Sequence, residues 1–240
     1  MALKDEISRE TVKLKNMTFR KKVEYIWGYY KIPIILFIAA VIFVVTFIRD
    51  WRINKRPVFL SVAVINSDLA YSDNIPMKSD YITYAGVDTD KYNLDFDTGF
   101  LISDDPRDQI SLMNSQKLIA LFAAGSIDVL IGPDDMIGSY GAQGALTDIS
   151  LILPADLKTR LENAGYEIFY TTEYDEDEAG NLKQVGTYPA GVYLDRSEYI
   201  NGLGMFETKK EEGRRPVFAV ANCATNPDNA FKLLSMLAGL

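Results

Sequence analysis

Ile127-Asp128-Val129-Leu130-Ile131-Gly132-Pro133-Asp134-Asp135 is the run on which the fold of this chain turns. Residues 127–131 are apolar enough for a short buried strand, and they stop at a glycine and a proline. Two aspartates follow at once, a residue type that suits the first turn of a helix. A strand that feeds an acid- and glycine-marked helix start is α/β organisation rather than a sandwich.

Working outward, the helix after this run is expected over 134–140, with Gly141 as its stop. Pro154-Ala155-Asp156 opens a second helix that reaches Ala164-Gly165. Residues 166–172 and 184–194 read as a hairpin whose tip is EYDEDEAGN. Residues 195–204 read as a short helix or loop, and 208–215 as a charged connection. Residues 217–221 form a last strand, and Thr225-Asn226-Pro227-Asp228 caps a final helix through Leu237. On the N-terminal side, VFLSVAVI at 58–65 is a strand ending at Asn66-Ser67-Asp68. A weak helix follows over 76–85, then a strand over 94–102. Asp104-Asp105-Pro106 marks the start of a helix that runs to about Ala124 and stops at Gly125.

Before all of this lies IPIILFIAAVIFVVTFI, residues 32–48, seventeen residues without a charge between Lys31 and Arg49. As a helix it covers roughly 25 Å, a little short of a hydrocarbon core of about 30 Å. Trp27, Tyr29, Tyr30 and Trp51 stand where headgroups would be, and widen the span to 29–50 at most. Pro33 falls in the first turn of this span, where a missing N–H is harmless. The run ends in RDWRINKR rather than in a small-residue cleavage site, so it reads as a signal anchor. Residues 1–31 are then a tail, in which Phe19, Val23, Ile26, Trp27 and Tyr30 recur at helical spacing. That pattern fits an amphipathic helix on the membrane surface, turning near Gly28 into the span. Residues 51–57 are a basic juxtamembrane linker, and 58–240 a separate domain.

Charge sets the expected orientation. Residues 1–31 carry eight Lys/Arg against four acids, whereas residues 57–240 carry 13 basic and 28 acidic side chains, net −15. The N-terminus is expected in the cytoplasm and the acidic domain outside the cell membrane. That acidity excludes nucleic acid as a partner, because phosphate binding needs a basic surface. Cys223 is the one cysteine, which excludes an intramolecular disulfide, and it reads as a small buried filler. The chain has no histidine, which removes His-based metal sites and Ser-His-Asp or Cys-His catalysis. Asp175, Asp177, Gly180 and Asn181 match calcium-loop positions, but Ala179 and Gly186 stand where ligands are needed, so that reading fails. Gly141-Ala142-Gln143-Gly144 lacks the lysine of a phosphate loop. Adjacent Asp134 and Asp135 do not by themselves flank one glycosidic bond. No cofactor and no enzymatic activity are expected. Asn16-Met17-Thr18 fits a glycosylation sequon, without meaning on the cytoplasmic side.

DVLIGPDDMIGSYGAQGALTDIS at 128–150, PAGVYL at 189–194 and PVFAVANCATNPDNAFKLLSMLAG at 216–239 together resemble the type 2 periplasmic (substrate-) binding protein fold. FRKKVEYIWGYYK at 19–31 is similar to the lead segment of small single-pass membrane proteins of Gram-positive, Clostridia-like bacteria. The resemblance implies one N-terminal transmembrane helix followed by a compact, two-lobed α/β ectodomain. Its soluble part is shorter than a full binding protein and hangs on a helix instead of a lipid. Folds of this kind take ligands outside the carboxyl ends of their strands. Carried onto this chain, that edge implies Asn66, Ser67 and Asp68; Gly132, Asp134 and Asp135 with Pro133; Tyr188 with Pro189; and Asn222, Thr225 and Asn226. Asn, Asp and Ser after a strand are equally ordinary turn and capping residues. Acids at 68, 134 and 135 favour a small cationic or peptide ligand.

The function expected from these readings is a membrane-anchored solute- or protein-binding module, acting as a sensor or as accessory subunit of a transporter-like complex. Its partners would be the lipid bilayer and another membrane protein. The alternative is a scaffolding envelope protein with a degenerate pocket, which a cleft filled by Tyr188 or Tyr140 would mark.

Overall fold

A computed structural model describes residues 18–70, 72, 75–103, 105, 107–176 and 182–240. The tail before residue 18 with its sequon, Asp104 and Pro106, and the hairpin tip at 177–181 lie outside the described residues. The chain divides into two compact units, Met1–Lys55 and Arg56–Leu240.

Among its described residues the first unit holds one helix, α1 (Phe19–Asn54, 36 residues). Within it lies a candidate span, Lys31–Arg52, whose most apolar 18-residue window has a mean hydropathy of 2.7 and holds no buried residue, long and apolar enough to cross a membrane. At 1.5 Å per residue those 22 residues reach about 33 Å, and they include the flanking Lys31, Arg49, Asp50, Trp51 and Arg52 on either side of the uncharged 32–48 run. The expected turn at Gly28 is absent: helix runs through it, and Pro33 is an interior residue rather than a first-turn one. Propagating an existing helix adds a hydrogen bond for each residue fixed, whereas a fresh start needs a costly nucleus.

The second unit is a three-layer α/β structure. Its elements are β1 (Val58–Ile65), α2 (Met77–Ala85), β2 (Asn93–Phe100), α3 (Gln109–Ala123), β3 (Val129–Pro133), α4 (Asp134–Ala142) and a 3-10 turn (Ile149–Leu151). After these come α5 (Ala155–Asn163), β4 (Ile168–Glu176), β5 (Leu182–Tyr193), α6 (Glu198–Leu203), α7 (Glu207–Glu211), β6 (Pro216–Val220) and α8 (Pro227–Ala238). All six strands join one sheet in the order β2-β1-β3-β6-β5-β4. β1 pairs in parallel with β2 and β3, while β6 runs antiparallel to both β3 and β5.

Alternation along the strands builds two cores. Leu60, Val62 and Val64 of β1, Val129 and Ile131 of β3, and Phe218 and Val220 of β6 face one side, packed with α2, α5, α6 and α8. Ala63 and Ile65, Leu130, and Val217 and Ala219 face the other, packed with Leu118 of α3 and Ile137 of α4. Strands covered on both faces read as unbroken apolar runs, which is why β1 and β3 stand out in the sequence.

Two boundaries differ from expectation for a local reason. α3 starts at Gln109, not near Asp105, because the Asp108 carboxylate accepts the N–H groups of Ile110 (3.0 Å) and Ser111 (3.2 Å). The charged connection over 208–215 contains the short helix α7. A larger difference concerns the two lobes. Arg56–Leu240 is one compact unit around one sheet. β6 lies between β3 and β5, so backbone hydrogen bonds continue from the first half of the domain into the hairpin.

Candidate functional site

The parallel strands β1, β2 and β3 all end at the same pole of the sheet, where a cavity of about 480 Å³ opens. Asn66, Ser67 and Asp68 line it from the end of β1, and Leu101, Ile102 and Ser103 from the end of β2. Asp108 before α3, Met136 of α4, and Thr208, Lys209, Glu212 and Arg214 before β6 complete the wall.

Asn66 sets the geometry of this rim. It is the one non-glycine residue with positive φ among those described, at +53°, a conformation that asparagine tolerates better than most side chains. Its amide nitrogen donates to the Ile102 carbonyl (2.8 Å), and its amide oxygen accepts the Ile102 N–H (2.7 Å). Its backbone N–H donates to the Phe100 carbonyl at 2.8 Å. Ser67 is 3% exposed, donates to the Met205 carbonyl (3.1 Å) and accepts the Leu69 N–H (3.2 Å). The Asp68 carboxylate accepts both the backbone N–H of Thr208 (2.9 Å) and the Thr208 hydroxyl.

Charges around the cavity are paired. Lys209 lies 3.2 Å from Glu212, and Arg214 lies 3.1 Å from Asp135 and 3.8 Å from Glu212. The Ser111 N–H, together with the Ser103 hydroxyl and the Ile110 N–H, holds the Asp108 carboxyl below the usual carboxylate range. Asp134 and Asp135 stand beside the cavity at the start of α4. Asp134 accepts the N–H groups of Asp135 (3.0 Å) and Arg215 (3.3 Å). Gly132 serves packing: a Cβ there would sit 3.1 Å from Ile65 Cβ and 3.2 Å from the Ile65 carbonyl oxygen.

The remaining expected residues are elsewhere. Because β6 runs antiparallel to β3, the chain leaves it at the opposite pole, and Asn222, Thr225 and Asn226 go with it. Asn222 donates to the Gly144 carbonyl (2.6 Å), and the Thr225 N–H donates to Asp128 (3.0 Å). Asn226 precedes α8 without a side-chain capping bond. Tyr188 packs against the second core, its hydroxyl donating to the Gly141 carbonyl (3.0 Å). Burial, then the charges of Glu173 and Asp148, push its pKa up to about 12. Tyr140 packs there too, stacked on Phe122, so neither tyrosine fills the cavity. Pro189 sits within β5, opposite Tyr170.

Sequence reasoning missed Ser103, Asp108, Met136, Thr208, Lys209, Glu212 and Arg214. Asp108 carried a usable signal, an acid just before an apolar helix; the 208–214 run reaches the cavity only because β6 starts at this pole. Asp128 was also missed. It is 6% exposed, accepts the N–H groups of Ser61 (2.9 Å) and Thr225 (3.0 Å), and ties β1 and the start of α8 to β3. Cys223 is half-buried and its thiol donates to the Ile127 carbonyl at 3.4 Å. Among the described residues no three His, Cys, Asp or Glu side chains converge as a metal site would.

Comparison with protein-family models, with curated proteins and with solved structures gives no match.

Proposed function

We propose that this chain is a non-catalytic, membrane-anchored binding module, with its N-terminus in the cytoplasm and residues 56–240 outside. It acts as a sensor or as the accessory subunit of a transporter-like membrane complex. One observation carries the reading: a helix with an 18-residue apolar, unburied window within Lys31–Arg52 is joined to a compact α/β unit whose parallel strands end at a polar cavity. Ligands of α/β sheets sit outside the carboxyl ends of the strands, and this cavity occupies that place. Asp68, Asp108 and Glu212 against Lys209 and Arg214 suit a small cationic or peptide ligand, which presents an ammonium to the acids and hydrogen-bonding groups to Ser103 and Thr208. The reading extends the resemblance to binding proteins to a single-sheet domain.

A scaffolding role is the second reading, and a specific observation favours it. The side chains of Asn66, Ser67 and Asp68 already bond to the protein itself, which lowers what they can offer a ligand.

The test is purification of the full-length chain in a mild detergent, followed by mass spectrometry of co-purifying proteins and small molecules. The expected result is a stoichiometric membrane partner, a bound amine or peptide, or both. A chain that emerges alone and empty overturns the accessory-subunit reading and leaves the scaffold.

A further inference from the structure

α3 carries large apolar side chains on its outer side as well as on the side that the domain covers. Leu118 is buried and Leu121 and Phe122 pack inward, whereas Leu112, Met113 and Ile119 are 56%, 69% and 62% exposed. Positions 109, 112, 116, 119, 120 and 123 fall on one outward face at helical spacing, with Gln109 and Gln116 as its polar members and no charge among them. An amphipathic helix lying on a domain normally turns charge outward. This one turns Leu112, Met113 and Ile119 outward and carries one exposed charge, Lys117.

We propose that this outward face of α3 is the seam of a homodimer, in which α3 packs against α3 of a second copy across a two-fold axis. Charge decides the occupant. The residues 57–240 carry net −15, and every other α-helix of the described residues contains at least one Asp or Glu; α3 contains none. Its one cation, Lys117, is held by Asp97 and lies 4.9 Å from the centre of the Phe100 ring. Two copies of so acidic a domain repel wherever carboxylates meet, and the acid-free seam is where they can touch without that cost. A two-fold contact requires a self-complementary patch, which an uncharged stripe of Leu112, Gln116 and Ile119, with small Ala120 and Ala123 in the last turn, supplies. A lipid surface fits less well: α3 has no Trp or Tyr and no free cation to meet headgroups. A different protein is not restricted to the neutral face, because a basic partner would gain from the acidic ones.

One helix face buries a few hundred Å² on each side, less than the roughly 800 Å² per partner of a standard interface. Such a seam associates weakly in dilute solution and gains from confinement of both copies in one bilayer, which raises their effective concentration. The inference uses the membrane-anchor part of the proposed function and is independent of any ligand.

The test uses the full-length chain with Cys223→Ser, reconstituted in phosphatidylcholine vesicles, and a short bismaleimide cross-linker. Ile119→Cys and Met113→Cys probe the seam, and Lys158→Cys on the exposed side of α5 is the control. Cross-linked dimer is expected in at least half of the I119C and M113C chains, reduced about tenfold by adding Leu112→Glu and near background for K158C. Equal cross-linking of K158C and I119C would place the association in the anchor and overturn the proposal. No cross-linking of either seam variant overturns it as well. So does an environment-sensitive maleimide dye on I119C that reports lipid contact while the chain stays monomeric.

Discussion

Asn66 closes the end of β1 onto the chain leaving β2 through both atoms of its amide, while its own backbone is left-handed. Alanine would leave the Ile102 N–H and carbonyl without those partners and would strain the backbone. Asn66→Ala is expected to lower stability by about 2–3 kcal/mol, read as a shift in the denaturation midpoint of the full-length chain, with Asn66→Asp intermediate because it keeps the acceptor. An unchanged midpoint would remove the clasp from the account of the rim. At this scale the sequence was partly legible. The polar triplet after β1 could be picked out as a turn or a site, but the Ile102 partnership depends on a strand 36 residues away. Gly132 reads as the stop of a strand and a ligand-edge residue, whereas the structure sets it tightly against Ile65, where a Cβ would need the neighbour to give by a few tenths of an ångström. Asp128 looks like a misplaced charge at the start of a strand, and only the positions of Ser61 and Thr225 give it a role.

Between elements, Tyr188 joins β5 to the end of α4 through the Gly141 carbonyl. Its pKa is raised to about 12 in the fold, whereas a tyrosine in the unfolded chain titrates near 10. The unfolded state therefore loses its proton first, so the stabilisation is complete below about pH 10 and fades as pH rises through about 12. Burial raises Tyr81 and Tyr199 as well, with Asp128 adding to the first and a hydrogen bond to Asp80 to the second. The melting temperature is expected to fall steeply from pH 10 to 12, and Tyr188→Phe should flatten part of that slope while costing a little stability at pH 8. An identical alkaline slope in Y188F would show that this phenol does not contribute. Elements themselves were the most legible level: β1 has the bounds that its apolar run predicts, and α2, α5 and α8 differ by a residue or two. α3 was misplaced at its start because several aspartates precede it in the sequence and, among the described residues, Asp108 is the one bonded to the helix N–H groups.

For the whole molecule, the arrangement of a long apolar helix before an acidic α/β unit makes orientation the property to measure. A protease added outside intact cells is expected to remove residues 56–240 and to spare a tag at the N-terminus; loss of the tag with survival of the domain would invert the topology. The amino-acid sequence by itself determined the apolar helix, the α/β class and most individual elements. Each of these follows from hydrophobic period, caps and turn residues within a few positions along the chain. The direction of β6, the single sheet and the separation of the expected site residues into two poles were decided only in the tertiary structure. Strand order and direction are set by pairing between segments distant in sequence, and β6 carries the same buried pattern whichever way it runs. Had it run parallel to β3, Asn222, Thr225 and Asn226 would have joined Asn66 at one edge; antiparallel, it delivers Thr208, Lys209, Glu212 and Arg214 there instead.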